Sequence, residues 1–594
     1  MATWSRYPLS RRRAVTGAAA VALGAVLAAC GQDRSDTETL QPTATTGGAA
    51  RTAPAMTGAT AGANATAGAT ANPMANVAVG GTPVVVEGKA DGMPVMGGTL
   101  TIADDEPPTF DPRVSGATNW WRAAYAVFDT LLYQEPGTLN FQPGLAQSWE
   151  VGSDGRTCTL RLRQGVTFHD GEPFNAEAVK YTFDSIMDPA LKSLTAVGYM
   201  GPYDRTEVVD TYTARVHFKE PYAPFLNNLA HSVLAPVSPK AGRDYNAFAS
   251  KPVGTGPFMF KEHMPQTSIT LERFPNYKPS SPVFRNKGPA YLERVVYRYV
   301  PALETRLGLL RSGEAQLSNG VAPQELKNLQ MDPNFQVLLP IVPGSPQIHP
   351  LNLLKSPTDD LKVRQAMNYA VDMPAIVDAL WFGGRRAARG PLSSPTYAYE
   401  PAVENTFIYD VKKAATLLDE AGWRRGSDGV RVKDGKKLEV LTIISTGIEA
   451  KGAELMQAYL RDAGFINPVD AQQYAQTATR FLAGEHNIAR IFFSHTDPVV
   501  LTTLYHSKNI PGTNFNRLMK PDAKMDAMLD AATAEMNAAT RKTKYSEIQK
   551  YIMENAMIIP RWEERVFWAA SAKLRGIHFQ PLGGLYLNDV WIGQ

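Results

Sequence analysis

Residues Leu145 to Asp184 read LAQSWEVGSDGRTCTLRLRQGVTFHDGEPFNAEAVKYTFD, and the alternation at their centre sets the reading of the chain. From Thr157 to Arg163, Cys158, Leu160 and Leu162 fall on one face and Thr159, Arg161 and Arg163 on the other. That two-residue period belongs to a half-buried strand. Gln164-Gly165 interrupts it, Val166-Thr167-Phe168 resumes extended chain, and Asp170-Gly171 is a turn signal. Asn175 then caps a helix, with Glu177 in its first turn and Val179, Phe183 and Ile186 on one face. His169-Asp170 reads as a turn histidine beside a turn aspartate, because a metal site needs three or four convergent ligands.

Outward from this stretch the same mixture recurs. Gly98 to Ile102, Tyr212 to Phe218 and Val295 to Val300 alternate as strands between helical segments, which indicates α/β structure with extensive sheet. Asp360 to Asp372 reads as a helix with Leu361, Val363, Ala366, Met367 and Ala370 on its apolar side. Tyr409 to Trp423 reads as another, capped by Asp410 and ended by Gly422, with Val411, Ala414, Ala415, Leu418 and Ala421 on one stripe. In Pro252 to Phe258 (PVGTGPF), two glycines flank a threonine, which suits a positive φ or a close backbone approach. It is not a phosphate loop, since the Lys-Ser/Thr ending is absent. The globular part, 97–594, is too long for one core and suits two lobes or three subdomains. No apolar run after residue 30 is long enough to span a membrane.

The first thirty residues read as an export address. Ser10-Arg11-Arg12-Arg13 precedes an apolar run from Ala14 to Ala29, which ends Leu27-Ala28-Ala29-Cys30. The arginines resemble a twin-arginine signal and the ending resembles a bacterial lipobox, which implies lipidation at Cys30. Residues 31–96 are rich in Ala, Thr, Gly and Pro, with almost no aromatics, and read as a flexible tether with an r.m.s. reach of roughly 45 Å. The leader holds Arg6, Arg11, Arg12 and Arg13 and no acid, so without it the chain's 60 basic and 57 acidic residues balance to −1. Nothing in that balance argues for nucleic acid. With Cys30 lipidated, Cys158 is alone and no disulfide within the chain is possible; it reads as a small buried hydrophobe.

The stretch 145–184 closely resembles the signature of the family 5 extracellular solute-binding proteins, the peptide- and nickel-type receptors of ABC importers. Gly97 to Leu100 through Phe110-Asp111-Pro112 is similar to that family's opening strand and its "LDP" turn. Pro252 to Phe258, Asp360 to Asp372, Tyr409 to Trp423 and Ile559-Pro560-Arg561-Trp562 with Lys573 to Gly576 resemble further family segments. The resemblance implies a bilobal periplasmic-binding-protein-like α/β fold of the large, three-subdomain cluster C type, its lobes joined by a hinge. Residues 97–140, 250–322 and 562–594 would form the first lobe, 141–249 a subdomain of it, and 323–561 the second lobe. It implies a receptor for a small solute, most naturally an oligopeptide, which works with an ABC permease and its ATPase subunits. The protein would be exported, lipid-anchored at the outer face of the cytoplasmic membrane, monomeric, without cofactor and not an enzyme.

By that resemblance the ligand lies in the cleft between the lobes, against three stretches. The first is Asn119-Trp120-Trp121, taken as extended chain, where adjacent tryptophans cannot both face one core, so at least one is a candidate cleft wall. The second is Phe492-Phe493-Ser494-His495-Thr496-Asp497. In peptide-binding relatives an acid three residues before the aspartate of the "DP" pair holds the peptide's ammonium group, and here that position is Ser494. A hydroxyl does not pair a buried ammonium as a carboxylate does. His495, when charged, would suit an acidic ligand. The third is Trp562, an aromatic placed for stacking on the ligand. The Ser494 departure keeps oligosaccharides, opines or a nickel chelate open beside peptide. An exported hydrolase is the remaining alternative, but the nine histidines are scattered, with no HExxH and no GxSxG.

Overall fold

The computed structural model describes residues 86–593 apart from 115–117, 194 and 511–514, and of 118–122 the backbone alone. The leader, Cys30 and residues 31–85 of the expected tether therefore lie outside the described residues. Strand Thr157–Leu162 forms as its alternation requires, with Cys158, Leu160 and Leu162 buried and Arg161 exposed. It sits in an antiparallel four-stranded sheet, ordered Ala146–Val151, Thr157–Leu162, Thr213–Phe218, Tyr203–Asp210. Burial pushes the Cys158 thiol up to about 12. Helix Ala176–Met187 covers this sheet; Asn175 accepts from the Ala178 amide at 3.1 Å, and Val179, Phe183 and Ile186 are fully buried.

The larger sheet has seven strands in the order Phe335–Leu338, Trp568–Ser571, Leu317–Asn319, Thr99–Asp104, Arg294–Tyr299, Ser268–Arg273, Phe258–Met264. Thr99–Asp104 runs parallel to both its neighbours, and the remaining pairings are antiparallel. One hydrophobic core lies on these two sheets, from Leu100 to Val590. A second core belongs to the other lobe and takes in Val363, Ala366, Met367, Ala414 and Leu418. These come from helices Leu361–Ala370 and Val411–Glu420, whose first apolar residues, Leu361 and Val411, stay exposed because each lies in an opening turn outside the packed stripe. Asp410 caps the second helix, and Gly422 follows it at φ 87°.

Around this second core, strand Gln347–Pro350 pairs with Ile558–Trp562, and Thr442–Ser445 runs parallel to Val469–Gln472. The extended chain 488–494 lies between them through bridges at Ile488, Ile491 and Ser494. The lobes join where Leu317–Asn319, Phe335–Leu338 and Trp568–Ser571 lie side by side at one end of the seven-stranded sheet. At the N-terminal end of the described chain, Glu87 bridges His578, the Gly88 amide donates to the Ile577 carbonyl at 2.9 Å, and Lys89 accepts from the Gly576 amide at 2.9 Å.

His169 binds two of the sequence motifs together. Its Nε2 lies 2.9 Å from the Gly256 carbonyl oxygen, its amide donates to Gly254 O at 2.9 Å, and Nδ1 accepts from the Gly254 amide at 3.4 Å. The glycines of PVGTGPF are there for proximity, since neither has a positive φ. A Cβ on Gly254 would lie 2.1 Å from the Val127 carbonyl oxygen. Gly254→Ala should therefore cost about 3 kcal/mol by overpacking against backbone. Gly165→Ala, with nothing within 4 Å and only a φ of 73° to strain, should cost about 1 kcal/mol. Urea midpoints of the two variants test the order; equal midpoints would reject the close approach as the reason for Gly254.

Five histidines, four of them buried and His169 half-buried, have depressed pKa values, in each case chiefly by desolvation. His169, His486 and His495 stand at about 4, His231 at about 3, and His349 well below its ordinary value. Between about pH 6.5 and 4 the unfolded chain binds protons at these sites that the folded chain refuses. Stability is therefore complete above pH 6.5 and lost as pH falls. Asp129, pushed up to about 6 by burial, works in the opposite direction but is one group against five. The melting temperature should fall steadily from pH 7 to pH 4.5, and a flat profile across that range would contradict these buried neutral rings.

Candidate functional site between the lobes

The segment from Phe492 to Asp497 runs along the junction of the lobes. Phe492 packs against the first core and Phe493 against the second, where it meets Phe515 edge-on at 5.5 Å. Adjacent residues of an extended chain face opposite ways, so this division follows from the backbone. Ser494 is buried, and its backbone bridges Gly344.

Asp497 has no freedom left for a ligand. Its Oδ2 accepts from Arg541 Nη1 at 2.7 Å and from Asn227 Nδ2 at 2.6 Å, and its Oδ1 from Arg541 Nη2 at 2.7 Å and the Val499 amide at 2.8 Å. Burial would raise this carboxyl, but Arg541 outweighs it and holds it below the usual range. Asn227 belongs to the first lobe, where Gln134 Nε2 donates to its Oδ1 at 2.7 Å. Asp497 is thus held by partners from both lobes.

His495 is part of the same junction. Its Nδ1 accepts from the Asp497 amide at 2.9 Å, and its ring lies 4.9 Å from that of Tyr199, itself 4.8 Å from His231. Desolvation holds it at about 4, against the pull of Asp497, so it is neutral at physiological pH. Trp562 is fully buried, edge-on to Trp381 at 5.6 Å and beneath the Arg561 guanidinium at 3.9 Å. Asn119, Trp120 and Trp121 lie on helix Thr118–Val127, not on extended chain, and their side chains fall outside the described residues.

The wall beside Trp562 holds a set of charges that hydrophobic patterning passes over. Glu449, in the first turn of helix Ile448–Asp462, accepts from Arg561 Nη1 through Oε2 and from Arg490 Nη2 at 3.2 Å through Oε1. Arg490 Nε also donates to Gln347 Oε1 at 3.1 Å, and Gln347 Nε2 to Glu564 Oε2 at 3.0 Å. Glu564 pairs with Arg385, whose guanidinium lies 3.8 Å over the Trp381 ring. Burial acts to raise Glu449, but Arg490 and Arg561 bring it down to about 2. A signal was present in the sequence: Arg490 interrupts the apolar run Ile488 to Phe493, and Arg561 interrupts Ile558 to Trp562. Among the described residues, no group of three or more His, Cys, Asp or Glu side chains is placed to hold a metal ion, and no helix is long and apolar enough to cross a membrane.

A family model described as bacterial extracellular solute-binding proteins, family 5 Middle, matches residues 140–511. The glutathione-binding protein GsiB of Pectobacterium atrosepticum is 30% identical over 454 residues, covering 74% of this chain and 83% of that protein. GsiB of Salmonella typhi is 30% identical over 460 residues, 75% of this chain and 85% of that protein. The ABC transporter-associated periplasmic binding protein DppA from Helicobacter pylori, in complex with peptide STSA, superposes with a TM-score of 0.68 at 26% identity, over 84% of this chain and 99% of that one. NikA from Brucella suis, in complex with Fe(III)-EDTA, superposes with a TM-score of 0.73 at 23% identity over 83% of this chain and all of that one, a likeness of fold. Matched over more than half its length and built as two lobes that meet at Asp497, the chain belongs to the bacterial extracellular solute-binding proteins of family 5, the receptor components of ABC importers.

Proposed function

We propose that this receptor captures a small peptide between its lobes and delivers it to a membrane permease, with glutathione the first compound to test. The observation that carries the ligand class is the 30% identity, over three quarters of the chain, to proteins named for binding glutathione. Glutathione is compatible with a serine at 494, since its ammonium group stands beside its own α-carboxylate at the γ-linked end. Trp120, Trp121 and Trp562 stand in this reading as the aromatic side of the site. The protein is exported and held outside the cytoplasm by a lipid on Cys30, residues 31–96 act as its tether, and it works as a monomer without catalysing a reaction. The division into a first lobe (97–140, 250–322, 562–594), its subdomain (141–249) and a second lobe (323–561) belongs to the same proposal.

Capture in such a receptor is closure of two lobes on a solute, and any contact made only on closure adds to affinity. The Asn227–Asp497 hydrogen bond spans the junction, so Asn227→Ala should weaken solute binding about tenfold, as expected for losing a hydrogen bond to a charged group. Arg541→Ala should do more, costing about 3 to 5 kcal/mol of stability, because it leaves a buried carboxylate unpaired. Calorimetric titration and thermal melting of both variants check this; an unchanged affinity in Asn227→Ala would remove the junction from the binding mechanism.

The ligand class is tested by mass spectrometry of small molecules released on denaturing the gently purified protein, followed by titration with glutathione. Release of glutathione or short peptides is the expected result. A sugar, an opine or a metal chelate would overturn the peptide reading while leaving the receptor role in place.

A further inference from the structure

A cavity of about 260 Å³ opens in the second lobe, where the end of helix Leu361–Ala370, the start of helix Met373–Trp381 and strand Ile558–Trp562 meet. Its lining residues all lie between 368 and 560, and none of them belongs to the first core. The inner wall is apolar, with Val371, Met373, Met553 and Ile559 buried. The rim carries Ile408 and Tyr409, which are 58% and 42% exposed. Two backbone contacts fix these surroundings: the Ala388 amide donates to the Arg561 carbonyl at 3.0 Å, and the Asp410 amide to the Tyr369 carbonyl at 2.9 Å.

Two opposite charges line this cavity without meeting. Arg389 is half-buried and, among the described residues, has neither an ion pair nor a hydrogen bond from its guanidinium. Asp372 accepts from the Ala375 amide at 3.2 Å through Oδ1 and, among the described residues, has no basic partner. No other charged residue belongs to the lining. Between these charges stands Asn368, only 6% exposed, which donates through Nδ2 to the Arg364 carbonyl at 3.1 Å. Its Oδ1 has no partner among the described residues. A nearly buried amide oxygen and a half-buried guanidinium left over in this way both favour a ligand that brings the matching groups.

We propose that this cavity is a second binding site, separate from the one between the lobes, for a single free α-amino acid with an apolar side chain. The α-carboxylate pairs with Arg389, whose planar fork suits two parallel hydrogen bonds. The α-ammonium group pairs with Asp372 and donates to Asn368 Oδ1, and the side chain lies against Met373, Met553 and Ile559. Methionines adapt to apolar groups of different shape, so the site takes a class of side chains and not one amino acid. The volume falls just under the ~300 Å³ at which pockets for drug-sized compounds begin, which suits one amino acid better than a peptide.

The test is calorimetric titration of the full chain with L-phenylalanine, L-leucine and L-methionine. N-acetyl-L-phenylalanine and L-phenylalanine amide, which lack the ammonium group and the carboxylate in turn, complete the series. The free amino acids should bind one to a chain, and each derivative about tenfold or more weakly, the factor expected for losing a hydrogen-bonded charge. Arg389→Gln and Asp372→Asn should each weaken the free amino acids by about that factor. Both variants should fold, since Arg389 has no partner to lose and asparagine caps a helix as well as aspartate does. Neither should change the solute released on denaturation, which separates this site from the one between the lobes. Amino-acid binding that survives Arg389→Gln overturns the site, and so does the absence of binding by all three at about 10 mM. A derivative that binds as tightly as free phenylalanine overturns recognition of the paired charges. Each of these failures leaves the solute-receptor reading standing.

Discussion

The pairing of Asp497 with Arg541 is the constraint around which the two lobes are arranged. Both groups are buried, and a buried charge is tolerated only when its partner is fixed and its remaining lone pairs are met. Arg541 supplies two of the hydrogen bonds, and the remaining ones come from the Val499 amide and from Asn227 in the other lobe. The carboxylate is therefore fully satisfied only when the lobes stand together. Its neighbours repeat the dependence, since Tyr199 and His495 bring rings from both sides into contact and the Ala223 amide donates to the Thr533 carbonyl.

The same rule places charge elsewhere in the molecule. Arg113 and Asp111 form a fully buried pair at 2.7 Å where the opening strand turns, with the guanidinium 4.9 Å over the Phe248 ring. That pair is closed on itself, two charges of opposite sign with the Ser185 hydroxyl accepting from Nη1. The group of Arg385, Arg490 and Arg561 differs in kind, because three cations share two anions and leave donors over. The pair at Asp111 and Arg113 neutralises itself, and the group around Glu449 does not.

How far each feature could be read from the chain depends on how local its cause is. The strand at Thr157, the Asn175 cap, the helices at Leu361 and Val411 and the end at Gly422 follow from spacing and capping within a dozen residues, and they stand where the sequence puts them. The extent of the apolar stripes is less local, so Leu361 and Val411 look like core and prove to be surface. Trp120 and Trp121 read as extended chain and lie on a helix, whose far end at Val127 accepts from the Gly256 amide of the Pro252–Phe258 turn. At the junction, the partners that hold Asp497 and His495 are not legible in the sequence. Whether a carboxylate is free depends on Arg541, 44 residues away, and on Asn227, 270 residues away. Glu449, Arg490 and Arg561 show the opposite case, being visible as charges inside apolar runs yet meaningful only once three separate elements converge.

The short edge formed by Glu87 to Lys89 fixes where the described chain begins on the fold. It lies against Ile577 and His578, so the start of the described chain and its last segment leave from the same lobe. Under the proposed anchoring at Cys30, a pull from upstream would fall on the first lobe alone, leaving the second to swing about the strands at Leu317, Phe335 and Trp568 without disturbing the point of suspension.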